Sequence, residues 1–145
     1  MIINEKNIER AKQLIRKAER PITLAAQDDV FNRKMLEYGK FDFLLDVEMG
    51  SRKDSLRQID SGLNHVLGAI AAKNKISLGI DIGKIKDFNK KDKAILLSRL
   101  IQNIKICRKV DVKIKAMRYK DEKDAVSLMQ SLGASTKQAQ EAISF

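Results

Sequence analysis

Hydrophobic and polar positions along the chain follow two periods in turn, which predicts helices and strands in alternation. Apolar residues three and four positions apart predict helices over residues 7–19, 30–38, 60 or 61 to 73, 92–109 and 124–132, with a last helix after Ser135. Short apolar runs predict buried strands at residues 22–26, 41–47, 76–80 and 112–117. A fifth strand follows if residues 1–4 also pair.

Local signals place the ends of these helices. Pro21 stops the first helix, and Gly39 and Gly133 close two later ones. Asp28 or Asp29 and then Asp60 or Ser61 are expected to cap helix starts. Ser135 and Gln138 have the spacing of a capping box.

Alternating strands and helices are typical of repeated βα units and a mostly parallel sheet, so the predicted class is α/β. The 145 residues fit one domain, residues 1–145. A complete (β/α)₈ barrel needs about 200 residues or more. An open or incomplete sheet is therefore expected.

Composition indicates a buried core and a class of binding partner. Hydrophobic residues make up 43% of the chain, enough for a buried core, and the formal net charge is +10. Such a charge attracts phosphate, although it could serve solubility alone. No lipid anchor, signal peptide or membrane span is recognised, so a cytoplasmic protein that does not bind membranes is expected. The single cysteine, Cys107, lies on an apolar helix face and is expected to be an inert core thiol.

Residues for catalysis are scarce. One His and one Cys cannot build the usual zinc sites. Ser61 and His65 are four residues apart on one predicted helix, but no third member of a catalytic set is visible. Carboxylates near strand ends keep an all-oxygen Mg²⁺ site open: Asp42, Asp46, Glu48 and Asp81. We expect no catalytic residue, no protein-bound metal and no cofactor.

Basic residues in the loops give the strongest chemical signal. Loops that follow parallel strands gather at one edge of the sheet, where such folds bind ligands. A phosphate-binding rim is therefore predicted there, with the alternative that the charges are merely solvated; its residues are Arg33, Arg52, Lys53, Arg57, Arg118 and Lys120. Aromatic residues are only 5% of the chain, which favours structured RNA over stacked single strands.

The order of several motifs resembles archaeal ribonuclease P protein component 3, the counterpart of the eukaryotic thirty-kilodalton subunit of that enzyme. The resemblance runs from about residue 22 to residue 144. It is carried by Asn32-Arg33, Asp42-Phe43-Leu44-Leu45, Arg52-Lys53-Asp54, Ser61-Gly62-Leu63-Asn64-His65-Val66-Leu67, Ala71-Ala72-Lys73-Asn74-Lys75 and the ending Ser131-Leu132-Gly133.

The resemblance implies a barrel of the TIM type within a ribonucleoprotein endonuclease that removes the 5′ leader from precursor tRNA. It implies that the RNA subunit carries the catalytic Mg²⁺ and that the protein binds this RNA, precursor tRNA and ribonuclease P protein component 2. It also makes His65 a candidate RNA contact, beside the interpretation that His65 only packs its helix.

The family's opening strands have no counterpart here, so we expect a truncated barrel whose edge is completed by self-association, for example as a homodimer, or by a partner. Two other functions stay open. One is a metal-dependent phosphoesterase of related barrel fold; the other is a protein scaffold that does not depend on RNA.

Overall fold

Strands and helices alternate in a computed structural model, which describes residues 2–50, 52, 54 and 58–144. The strands are β1 (Ile2–Ile3), β2 (Thr23–Ala25), β3 (Phe43–Leu45), β4 (Ser77–Asp81) and β5 (Ile114–Met117). The α-helices are α1 (Ile8–Lys17), α2 (Asp29–Tyr38), α3 (His65–Lys73), α4 (Lys90–Val110), α5 (Glu122–Ser131) and α6 (Thr136–Ala142). A 3₁₀ helix that the sequence pattern did not predict, Ile82–Asp87, follows β4.

The five strands form one sheet in which every pair is parallel and the spatial order is the chain order, β1 to β5. Each strand is joined to the next by a helical crossover. A doubly wound sheet would reverse its strand order partway, whereas consecutive order is that of a (β/α) barrel. The predicted α/β class with an incomplete TIM-barrel-like parallel sheet is confirmed, and the fifth strand is present.

The core lies between the sheet and the crossover helices. Leu24, Leu44 and Leu78 are in register across neighbouring strands and are at most 3% exposed. Side chains of a strand alternate between its faces, so these residues share the face that packs against the helices. The long helix α4 supplies Leu100 and Ile104, both fully buried. Burial of this apolar surface is the main stabilising contribution.

Helix α3 begins later than its pattern predicts. Asn64 is the cap, and its side chain accepts a hydrogen bond from the backbone N–H of Leu67. The predicted caps are wrong because both side chains are used elsewhere: Asp60 accepts from the backbone N–H of Gly62, and the Ser61 hydroxyl donates to the Leu63 carbonyl. The predicted capping box is confirmed, with both Ser135–Gln138 hydrogen bonds present.

Cys107 lies in this core with no solvent exposure, and burial raises the pKa of its thiol to about 12. Because the thiolate is the reactive form, we expect the native protein to resist alkylation by iodoacetamide at pH 8 and the urea-unfolded protein to react readily. Mass spectrometry of the two samples measures the difference. Equal labelling rates in both would contradict the burial of this thiol.

None of the helices among the described residues combines the length and the apolar character needed to cross a lipid bilayer.

Candidate functional site

The strands end at one edge of the sheet, here called the carboxyl edge, and the loops that follow β3, β4 and β5 meet there. The loop after β3 is described over residues 46–50, 52, 54 and 58–64, before α3 begins. The 3₁₀ helix follows β4, and Arg118 follows β5 directly. In folds of this kind ligands bind at this edge. The side chains there decide what the site can do.

Lys84, from the 3₁₀ helix, binds two carboxylates of the loop after β3. Its Nζ lies 2.5 Å from Asp46 Oδ1 and also contacts Oε1 of Glu48, which is completely buried. Burial by itself would lower the pKa of Lys84, but the charge of Glu48 and the hydrogen bonds from both carboxylates together raise it. The ammonium therefore stays charged in a buried position. The other Glu48 oxygen, Oε2, has no hydrogen-bond partner among the described residues.

Arg52 also binds other groups of this chain. Its Nε donates to the carbonyls of Val47 and Met49, at 3.0 and 3.1 Å. Its Nη1 donates to Asp29 at 2.8 Å and to Asp60 at 3.1 Å, and the side chain is only 6% exposed. This guanidinium closes the loop after β3 onto the start of α2. It does not face solvent, where the predicted rim would need it.

Arg99 of α4 supports the same loop from the other side. Its guanidinium donates to Asp54 Oδ2 at 3.3 Å and to the carbonyls of Glu48 and Arg52, both at 3.1 Å. The sequence pattern did not single out this residue, because nothing in the spacing of a helical Arg indicates a loop contact more than forty residues away. Together Arg52, Lys84 and Arg99 hold the carboxyl edge in one arrangement.

Arg118 forms a bidentate ion pair with the last residue of β4. Its Nε and Nη2 lie 2.8 and 2.7 Å from the two oxygens of Asp81, while 62% of its side chain remains exposed. The hydrogen bonds and charge of Asp81 raise the pKa of this guanidinium. A phosphate that approached Arg118 would meet a cation whose charge Asp81 already balances.

The other predicted RNA-binding residues lie on separate elements of the fold. Arg33 is exposed on α2 and pairs with Glu37 at 3.1 Å, and Lys120 is exposed beyond β5. His65, exposed at the first turn of α3, lines a cleft of about 490 Å³ between α3 and α4. Arg33 and Arg52 line two neighbouring pockets that have Asp29 and Asp60 in common. Lys53 and Arg57 lie outside the described residues.

Carboxylates at the carboxyl edge bind cationic side chains instead of forming a metal cluster. Lys84 binds Asp46 and Glu48, and Arg118 binds Asp81. Asp42 lies at the opposite edge, where it accepts from Arg20. Over the part of the chain that the structure describes, no three His, Cys, Asp or Glu side chains could hold one metal ion.

Comparison with known sequences finds one group of similar proteins. No family model matches the chain. It is 23% identical over 111 residues to ribonuclease P protein component 3 of Methanococcus maripaludis strain C7 and 26% identical over 111 residues to that of Methanococcus vannielii, in each case over 77% of this chain and 45% of the relative. The chain thus spans less than half the length of these curated relatives.

A chain of the cryo-EM structure of archaeal ribonuclease P with mature tRNA has the same fold. The two superpose with a TM-score of 0.81 at 18% identity, over 97% of this chain and 62% of that one. The resemblance to protein component 3 that the motifs indicated is confirmed as a similarity in sequence. The fold is similar to that of a chain of archaeal ribonuclease P.

Proposed function

We propose that this chain acts as a protein subunit of ribonuclease P, where it binds the catalytic RNA and supports removal of the 5′ leader from precursor tRNA in the cytoplasm. The observation that carries the proposal is the superposition of 97% of the chain on a chain of archaeal ribonuclease P with mature tRNA. The curated relatives named ribonuclease P protein component 3 support it independently.

In this proposal the protein positions RNA and the RNA performs the chemistry. The described carboxylates best placed for a metal at the carboxyl edge already bind Lys84 and Arg118. We therefore assign the catalytic Mg²⁺ to the RNA subunit. Ser61 is buried and donates its hydroxyl to the Leu63 carbonyl, so it is not presented as a nucleophile to His65.

Protein partners are a further part of the proposal. Within the described residues, β1 pairs only with β2 and β5 pairs only with β4. An open parallel sheet has hydrogen-bonding groups at its edges that another chain can cover. Ribonuclease P protein component 2 and a second copy of this chain are the proposed occupants. Light scattering at rising concentration tests the second copy, because a monodisperse monomer throughout would contradict it.

Arg33, His65 and Lys120 remain proposed RNA contacts at the carboxyl edge, because their side chains are exposed. Arg118 is a weaker candidate because Asp81 binds it through two hydrogen bonds, whereas Glu37 binds Arg33 through one. Arg52 is assigned the structural role of closing its loop. We assign no contact to Lys53 or Arg57, although both stay predictions from the sequence.

The variant Arg33→Gln with Lys120→Gln tests this assignment. We expect the logarithm of its association constant for an archaeal ribonuclease P RNA transcript to fall less steeply with the logarithm of salt concentration, by about one slope unit for each phosphate that is no longer neutralised. Fluorescence titration at several salt concentrations measures the slope. An unchanged slope would remove these residues from the interface.

Phosphoesterase activity is the competing function, and the same preparation tests it. Turnover of a phosphate ester by the protein alone with Mg²⁺ or Mn²⁺ would favour an enzyme. Cleavage of precursor tRNA that strictly requires the RNA subunit favours the proposal made here.

A further inference from the structure

The edge of the sheet where the strands begin, here called the amino edge, carries a row of lysines. Lys40, Lys75 and Lys113 lie in the turns that lead into β3, β4 and β5, and each is exposed. Among the described residues no carboxylate forms a salt bridge with any of the three. Their charge is therefore available to a partner.

Strand register brings these lysines side by side. The Ser77 N–H donates to the Asp42 carbonyl at 2.8 Å, and the Leu78 N–H donates to the Lys113 carbonyl at 2.9 Å. Lys40 lies two residues before Asp42, and Lys75 lies two residues before Ser77. Neighbouring strands are about 4.8 Å apart, so the three backbones span about 10 Å across the sheet.

Helix ends widen the same basic surface, because the crossover helices run opposite to the strands and finish at the amino edge. Exposed cations in or just after the last turns of α1, α3 and α4 are Arg16, Lys17, Arg20, Lys73, Arg108 and Lys109. Carboxylates near them are Glu19, Glu37, Asp42 and Asp111; of these, Glu37 already binds Arg33 and Asp42 binds Arg20. Positive charge therefore predominates at this edge.

Helix dipoles explain only part of this pattern. A cation in the last turn of a helix is stabilised by the dipole, and the effect fades beyond that turn. Lys40 and Lys75 lie two residues beyond the last residues of α2 and α3, and Lys113 lies three beyond that of α4. The row of turn lysines is thus not required by the helices that precede it.

Three cations of the carboxyl edge are used differently from the turn lysines of the amino edge. At the carboxyl edge Arg52, Lys84 and Arg118 each bind at least one carboxylate of the chain. At the amino edge the turn lysines bind none among the described residues. A polyanion gains more from cations that are not already neutralised, since each new contact releases counterions without breaking an internal ion pair.

We propose that the amino edge, defined by Lys40, Lys75 and Lys113, is the main surface on which this protein binds the phosphodiester backbone of structured RNA. The inference rests on the proposed function and specifies its interface. Tyr38, at the end of α2, has Lys12 Nζ 5.2 Å from its ring centroid, so that face of the ring is already covered. Recognition at the amino edge is therefore of backbone and shape rather than of stacked bases.

The test compares two triple variants that remove equal charge. One is Lys40→Gln, Lys75→Gln, Lys113→Gln; the control is Lys86→Gln, Lys91→Gln, Lys123→Gln, whose exposed lysines lie toward the carboxyl edge. Each protein is titrated with an archaeal ribonuclease P RNA transcript between about 50 and 200 mM salt. Circular dichroism melting checks that both variants fold like the wild type.

We expect the amino-edge variant to bind about 10- to 1,000-fold more weakly at the lowest salt, with a slope reduced by about three. The control should stay near the wild type. Equal weakening of both variants, or a greater loss in the control, would overturn the inference while leaving RNA binding intact. Failure of the wild-type protein to bind the RNA would instead overturn the proposed function. Loss of polyglutamate binding with RNA binding unchanged would assign the edge to an acidic protein, which also overturns the inference.

Discussion

Lys84→Met is expected to lower the free energy of unfolding by about 3–5 kcal/mol at pH 7, because it leaves a buried carboxylate without its counter-charge. Glu48 is completely buried and Lys84 is its ion-pair partner, with a side chain only 10% exposed. Met keeps most of the apolar volume of the lysine stem, so the decrease in stability reports mainly the missing charge. Urea unfolding followed by circular dichroism measures it.

Two further variants identify the cause. Lys84→Met combined with Glu48→Gln should recover at least about 2 kcal/mol relative to Lys84→Met, because no buried charge is then left alone. Lys86→Met changes an exposed lysine of the same 3₁₀ helix and should stay within about 0.5 kcal/mol of the wild type. A Lys84→Met protein as stable as Lys86→Met would show that the buried pair does not stabilise the fold.

The pH dependence of this pair has a definite sign. The pKa of Lys84 is raised above 10.5 in the folded protein, so its contribution is complete below pH 10.5 and is lost as pH rises through the folded value. The stability difference between wild type and Lys84→Met should therefore be constant from pH 7 to about pH 10 and shrink above it. A difference that grew with alkaline pH would contradict the raised pKa.

Gly62→Ala is expected to cost about 3 kcal/mol or more, because the new methyl group would collide with fixed backbone. Gly62 has a φ of +84°, and a Cβ there would lie 2.0 Å from the Val47 carbonyl oxygen. Arg52 packs against the same point, so the loop after β3 cannot move away without breaking the hydrogen bonds of that guanidinium. Thermal and urea unfolding measure the decrease in stability.

Gly133→Ala is the matched control for this substitution. Gly133 has a φ of +100°, but nothing lies within 4 Å of the position its Cβ would take. Its cost should be that of the left-handed backbone alone, about 1–2 kcal/mol. If both alanine variants were destabilised equally, the close approach of Gly62 to Val47 would contribute nothing.

Elements with a strong local signal could be predicted from the sequence. The capping box of Ser135 and Gln138 places α6 correctly because both of its hydrogen bonds are made within three residues. The start of α3 could not be placed, since Asp60, Ser61 and Asn64 are all good caps. The choice among them depends on the turn at Gly62 and on contacts of Asp60 with Arg52.

The candidate site was less predictable because it depends on pairing between distant residues. Arg52 looks like a free loop cation in the sequence, and only the fold brings Asp29, twenty-three positions away, to its guanidinium. Lys84 and Lys86 are alike in sequence, yet one is buried and the other exposed. The turn lysines, such as Lys75, are visible in the sequence. Parallel α/β sheets usually bind ligands at the carboxyl edge, and this rule favours the loop arginines over the turn lysines.

Reconstitution of the ribonucleoprotein provides the sharpest test of the proposed function. The purified chain is added to an archaeal ribonuclease P RNA together with ribonuclease P protein component 2, and 5′-leader removal from a precursor tRNA is followed. Component 3 of Methanococcus maripaludis, a relative of this chain, serves as the positive control. We expect the chain to raise the cleavage rate and the amino-edge variant to raise it less. An assembly that component 3 activates and this chain does not would contradict the proposed function.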